Sequence, residues 1–79
     1  MVEEIKKFLE QNKVFFGIKE CLRKSKSIDK VIVSGDCRED VKKTLTVNKI
    51  NFFVSELSRQ DISNKLNLNF TCEVFGLTK

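Results

Sequence analysis

Apolar residues recur at helical spacing over residues 3–11, where Ile5, Phe8 and Leu9 share a face and Glu3, Glu4, Lys6, Lys7 and Glu10 surround it. The acidic residues come first, which suits the helix dipole. Val14-Phe15-Phe16 is a short apolar burst closed by Gly17 and predicts a brief strand. Helical spacing resumes over 18–26, with Ile18, Cys21 and Leu22 on one side and Glu20, Arg23, Lys24 and Lys26 largely on the other. Lys30 to Ser34 is a β-branched run with the character of a central strand. Gly35-Asp36 breaks it, and Asp36 with Glu39 has capping-box spacing for a helix over 37–46 that turns Val41 and Leu45 inward. Residues 50–57 predict a third strand around Phe52-Phe53-Val54. Ser58 and Asp61 then form a second capping pair before a short helix with Ile62 and Leu66 inward. Asn67-Leu68-Asn69 reads as a loop, and Phe70 to Leu77 as the last strand, with Phe70, Cys72, Val74 and Gly76 on one face.

Helix and strand therefore alternate along the whole chain, which predicts an α/β fold with helices on both faces of a sheet. Right-handed crossovers restrict the strand order without fixing it. The length of 79 residues leaves room for one domain, expected to span 1–79. With 41% hydrophobic residues, seven Phe, three Gly and no Pro, the chain has the composition of a folded protein. No signal segment follows Met1, no stretch is long enough to span a bilayer, and the cytoplasm is the expected compartment.

Charge and residue inventory then narrow the chemistry. Lys and Arg total 15 against 11 Asp and Glu, a net charge of +4 that favours an anionic partner. His and Tyr are absent, so the usual near-neutral proton carrier is missing. Cys21, Cys37 and Cys72 are widely spaced and odd in number, which suits free thiols better than a disulfide framework or a zinc site. Cys37 stands near a predicted helix start, where a thiolate is stabilised, but a nucleophile also needs an activating base. Gly17, Gly35 and Gly76 stand apart from one another, unlike the glycines of a phosphate loop. The expectation is a protein without catalytic activity, metal or cofactor.

Nucleic-acid binding has better material. Gly17-Ile18-Lys19-Glu20 opens a helix after a short strand, and a helix start can hold phosphate. Lys19 and Arg23 share one face, extended by Lys24 and Lys26. Glu20 is an acid inside that basic patch. It repels phosphate but accepts from a base amino group, which would read sequence beside electrostatic attachment. It can equally offset the dipole and pair with Lys24.

The run Gly17-Ile18-Lys19-Glu20-Cys21-Leu22-Arg23-Lys24 resembles the signature of the kink-turn RNA-binding ribosomal-protein family, the L-seven-Ae and L-thirty-e superfamily with its short bacterial members. The likeness continues through Lys30 to Asp36 and covers nearly the whole chain. It implies a three-layer α/β/α sandwich with a four-stranded mixed sheet, and binding to structured RNA with a sharp bend and tandem sheared guanine–adenine pairs. Ribosomal or regulatory RNA, and ribosome or ribonucleoprotein components, would be the partners. By the same resemblance, Gly17 permits close approach, Lys19 and Glu20 face the guanines, Arg23 contacts phosphate, and Ile18 belongs to the same RNA-binding set. Leu68, Asn69 and Phe70 match the family's hydrophobic loop and would cover a base turned out at the bend. There are departures: Lys19 stands where strong ribosomal RNA binders often carry Asn, and Ser63 and Asn67 each replace a Gly. The third helix and its turn are also short. A protein-docking module using Leu68 and Phe70 is the competing class, and a degenerate receiver-like domain is a weaker third.

Overall fold

The computed structural model describes residues 2–78. Its elements run α1 (Val2–Glu10), β1 (Val14–Phe16), α2 (Ile18–Arg23), β2 (Ile28–Val33), α3 (Glu39–Val47), β3 (Phe52–Val54), α4 (Arg59–Leu66) and β4 (Val74–Thr78). The strands form one sheet in the order β1-β4-β2-β3, with β4 antiparallel to both neighbours and β2 parallel to β3. This is a three-layer α/β/α arrangement with a four-stranded mixed sheet. Helices α1 and α4 cover one face, where Ile5, Ile62 and Leu66 pack on Ile32, Phe75 and Leu77. Helices α2 and α3 cover the other, where Cys21, Val41 and Leu45 pack on Val31, Val33 and Val74. Adjacent residues of β2 and β4 thus enter opposite cores, which is why the central strands read as unbroken apolar runs.

Several boundaries differ from the sequence expectation, each for a local reason. Helix α2 stops at Arg23 rather than at residue 26, and a separate tight turn occupies Ser25–Ser27. Two serines with no apolar face to bury do not sustain a helix. Asp36 does not cap α3. Its helix begins after Arg38 without any side-chain cap, and the Asp36 carboxylate accepts instead from the backbone N–H of Arg59 at the start of α4, at 2.9 Å. Thr44 and Thr46 donate back to carbonyls one turn earlier, and α3 runs on through Val47. Ser58 behaves as expected, accepting from the Asp61 N–H at 3.1 Å.

The third strand is confined to Phe52–Val54, and the last begins at Val74, not Phe70. Residues 70–73 form a loop, and Cys72 packs with Phe75 against the α1/α4 core while Val74 enters the opposite core. Phe70, Cys72 and Val74 therefore do not share a face. At Gly76 the space explains the residue. A Cβ there would lie 2.9 Å from Cys21 Sγ and 2.8 Å from Ile28 Cδ1, so the missing side chain lets α2 lie directly on β4.

Candidate nucleic-acid interface

Because β1, β2 and β3 run the same way, the starts of α2, α3 and α4 gather at one end of the sheet. In open α/β sheets this carboxyl end of the parallel strands is where ligands bind. Strand β4 enters the sheet at the same end, so the loop before it joins the cluster. Backbone bonds hold the end together: Gly17 N–H donates to Val74 O at 3.0 Å, and Ser34 N–H to Glu73 O at 2.9 Å.

Gly17 has φ 91° and ψ 158°, a conformation open in practice only to glycine, and beyond its two chain neighbours no atom lies within 4 Å of where its Cβ would be. The glycine is needed for its backbone, and the space beside it is free. Lys19 is exposed on the first turn that follows. Ile18 turns inward and packs on the α2/α3 core, so it contributes support rather than contact. Glu20 pairs with Arg23, not with Lys24: Arg23 Nη1 donates to Glu20 Oε1 at 3.1 Å. Both side chains are open to solvent, 69% for Arg23 and 42% for Glu20, so the pair is weak and easily exchanged for other partners. With only six residues, α2 has little dipole to offer an anion, and its side chains must do the holding. Lys24 is exposed at the exit of α2. Lys26 lies beyond it, beside Ile28 and Asn48, at the opposite end of the sheet from Gly17.

The 68–70 loop comes to the same end as Gly17. The Phe70 ring meets the Phe16 ring edge-on at 5.2 Å between centroids, and Phe16 is the residue before Gly17. Phe16 rests in turn on Phe75, at 5.9 Å. Phe70 remains 45% exposed, Asn69 is exposed, and Leu68 turns inward against the α1/α4 core. The structure thus joins Gly17–Arg23 and Leu68–Phe70 through one aromatic contact.

Sequence reasoning missed the ionic platform beside them. Glu73, whose side chain is 13% exposed, accepts from Arg38 Nε at 3.2 Å and from Arg59 Nη1 at 3.0 Å. Arg59 also donates through Nε to Asp36, at 3.2 Å. Every one of these pairings joins residues at least 14 positions apart, so no local spacing could have signalled them. The Ser34 hydroxyl lies near enough to lower the Asp36 carboxyl below its ordinary 3.8, with the Arg59 amide and guanidinium adding to the effect, although Ser34 Oγ completes no regular hydrogen bond. A carboxyl lowered on folding stabilises the fold above pH 3.8 and loses that contribution as pH falls through its lower folded value. Wild-type stability is therefore expected to drop below about pH 4, and Asp36→Asn to flatten part of that drop, in denaturant melts at about pH 5 and about pH 3.

The thiols are poor nucleophiles. Burial, then the Glu73 carboxylate, pushes Cys37 up to about 11, and burial pushes Cys21 up to about 12. Burial also raises Cys72. Cys37 Sγ faces Glu73 Oε1 at 3.7 Å, so the expected helix-start stabilisation of a thiolate is outweighed by a neighbouring negative charge. Among the described residues no group of three or more His, Cys, Asp or Glu is placed to hold a metal ion. No described helix is long and apolar enough to cross a membrane.

No protein-family model matches the sequence, and no curated protein matches it. Solved structures do match the fold. A protein of unknown function from Bacillus halodurans C superposes with a TM-score of 0.82 at 15% identity, over 99% of this chain and 83% of that one. The 15.5kD RNA binding protein of Giardia lamblia superposes with a TM-score of 0.78 at 13% identity, over 99% of this chain and 70% of that one. The fold is shared with an RNA-binding protein. At these identities the likeness is one of architecture: the order of layers and strands, into which this chain places its own side chains.

Proposed function

We propose that residues 1–79 form one RNA-binding domain, non-catalytic and cytoplasmic, that recognises kink-turn RNA with tandem sheared guanine–adenine pairs and stabilises its bent form. Ribosomal or regulatory RNA, within a ribosome or ribonucleoprotein, is the partner class. The observation that carries this reading is the Phe16–Phe70 contact, which makes one surface of the α2 start and the 68–70 loop. The Giardia 15.5kD RNA binding protein has the same fold, which supports the reading.

In this reading the open space at Gly17 admits the RNA backbone. Lys19 and Glu20 face the guanine edges, Arg23 and Lys24 hold phosphate, and Phe70 with Asn69 covers a base turned out at the bend, while Lys26, at the far end of the sheet, stands outside this surface. Leu68 and Ile18 support these groups from behind. Binding the bent conformer better than the extended one shifts the RNA population toward it. The Glu20–Arg23 pair opens on binding, each partner passing to an RNA group of the sign it needs.

Arg23→Ala is expected to weaken binding to many RNAs and to lower the salt dependence by about one phosphate contact. Glu20→Ala is expected to reduce discrimination between bent stem and plain duplex, by about 1–3 kcal/mol. Equal losses on both RNAs would remove Glu20 from base reading. The test of the function itself is a gel-shift titration of a kink-turn stem against the same stem with its guanine–adenine pairs disrupted, at several salt concentrations. Absence of preference at every salt concentration would overturn the assignment.

The protein-docking alternative placed an apolar surface around Leu68 and Phe70. With Leu68 half-buried against the α1/α4 core, Phe70 is the strongly exposed apolar residue there. The other exposed large apolar residues, Val47, Phe53 and Val54, lie on α3 and on the β3 edge. Of these the Phe53 ring is already capped by Lys30 Nζ at 4.7 Å.

A further inference from the structure

Ser63 sits within α4, 3% exposed, at a position with no apparent link to the RNA surface. A serine inside a helix ordinarily bonds back to a carbonyl one turn earlier or points to water. This one reaches forward, beyond the end of its own helix. Its Oγ lies 3.1 Å from Leu68 O and 2.6 Å from Phe70 O, so the single hydroxyl proton is shared between two loop carbonyls. Its backbone carbonyl also accepts from Leu68 N–H at 2.9 Å. That bond closes the helix through Asn67, which adopts φ 56° and ψ 40°, the left-handed conformation usual at such an end. Leu68 is thus held at both its N–H and its C=O by one residue, and Phe70 is held by its C=O.

The consequence falls on the Phe70 ring. With the carbonyls of residues 68 and 70 both held by Ser63, Phe70 meets Phe16, the residue before Gly17, edge-on. Backbone restraint from α4 on one side and aromatic contact with β1 on the other set the wall that faces the α2 start.

We infer that Ser63 is a positioning residue. It pre-orders the Phe70 wall at a set distance from Gly17, so that the surface accepts a base turned out of an RNA bend without first ordering the loop. The inference rests on the RNA-binding reading and adds to it the residue responsible for holding the turned-out base. Removing the hydroxyl should let the loop wander, and affinity for the bent RNA should fall because ordering is then required on binding.

The test compares wild type and Ser63→Ala on two RNAs: an intact kink-turn stem and the same stem with an abasic site at the turned-out nucleotide. Wild type is expected to bind the intact stem about tenfold more tightly than the abasic one. Ser63→Ala should lose most of that tenfold on the intact stem and almost nothing on the abasic stem. Proton NMR of the free variant should show the Phe16–Phe70 ring cross-peaks weakened while those of Phe16 with Phe75 persist. Equal losses on both stems would mean general destabilisation and would overturn the inference. So would retained ring cross-peaks with unchanged binding, or a wild type that prefers the bent stem yet ignores the abasic change. If Ser63→Ala does not fold, Phe70→Ala decides, since its side chain is half-exposed: it must abolish the difference between intact and abasic stems, and a persisting difference overturns the inference. A wild type with no preference for the bent stem would instead defeat the RNA reading, a separate outcome seen before any variant is made.

Discussion

Phe75→Ala is expected to destabilise the fold by about 3–5 kcal/mol, the usual loss when a buried Phe is cut back to Cβ. A domain of 79 residues has a total stability on the order of 4–12 kcal/mol, so this change alone approaches unfolding. Phe75 has no exposed surface and sits in β4, in register with Phe16 on one side and Ile32 on the other. Its side chain fills the α1/α4 core between Ile5, Ile62 and Leu66. It also supports the Phe16 ring, which supports Phe70. Denaturant melts should therefore show the midpoint falling sharply. RNA binding under conditions where the variant is still folded should weaken too, because the aromatic chain loses its base. Phe15→Ala, in the same short strand as Phe16 but outside that chain of rings, serves as the comparison. A loss below about 1.5 kcal/mol would show that the core closes around the deletion, and would remove Phe75 as the support of the site.

Gly17→Val is expected to cost both stability and binding. The backbone at φ 91° and ψ 158° is one that side-chain-bearing residues rarely adopt, and holding a β-branched residue there costs about 1–3 kcal/mol. That part should appear in melts of the free protein. The second part is steric. Beyond the two neighbouring residues nothing in the protein lies within 4 Å of the added Cβ, so the isopropyl group would stand in the space proposed for RNA. Binding of the bent stem should fall by more than the lost stability explains, most clearly at low temperature, where the variant stays folded. Were binding unchanged in the folded variant, the open space beside Gly17 would not be where RNA approaches. The two parts separate because strain is felt with or without ligand, whereas the clash requires it.

These two residues differ in how readable they were. Gly17 announced itself: a lone glycine between an apolar strand and a helix with basic residues suggested both a tight junction and an accessible start, and its geometry agrees. Ser58 and Asp61 were likewise legible, because a cap and its target lie a few residues apart. Phe75 was assigned to a strand, but its partnership with Phe16 and Phe70 depends on β4 lying between β1 and β2, which alternation of elements does not specify. The spacing of Asp36 to Glu39 satisfies a local capping rule that the fold does not use. The carboxylate had a better partner in the Arg59 amide, 23 residues away. Lys26 shares the basic face only of a helix that runs past Arg23, and α2 ends there.

The amino-acid sequence by itself determined the succession of helices and strands, the inward faces of α1, α3 and α4, and the basic turn opened by Gly17. Those properties follow from spacing over a few residues, where hydrophobic periodicity and capping act. Only the tertiary structure decided that Phe70 meets Phe16, that Ser63 holds the loop between them, and that Glu73 gathers Arg38 and Arg59. Each of these depends on side chains brought together by strand order, because a loop carries no periodicity and takes its course from whatever polar and aromatic partners the packed helices present.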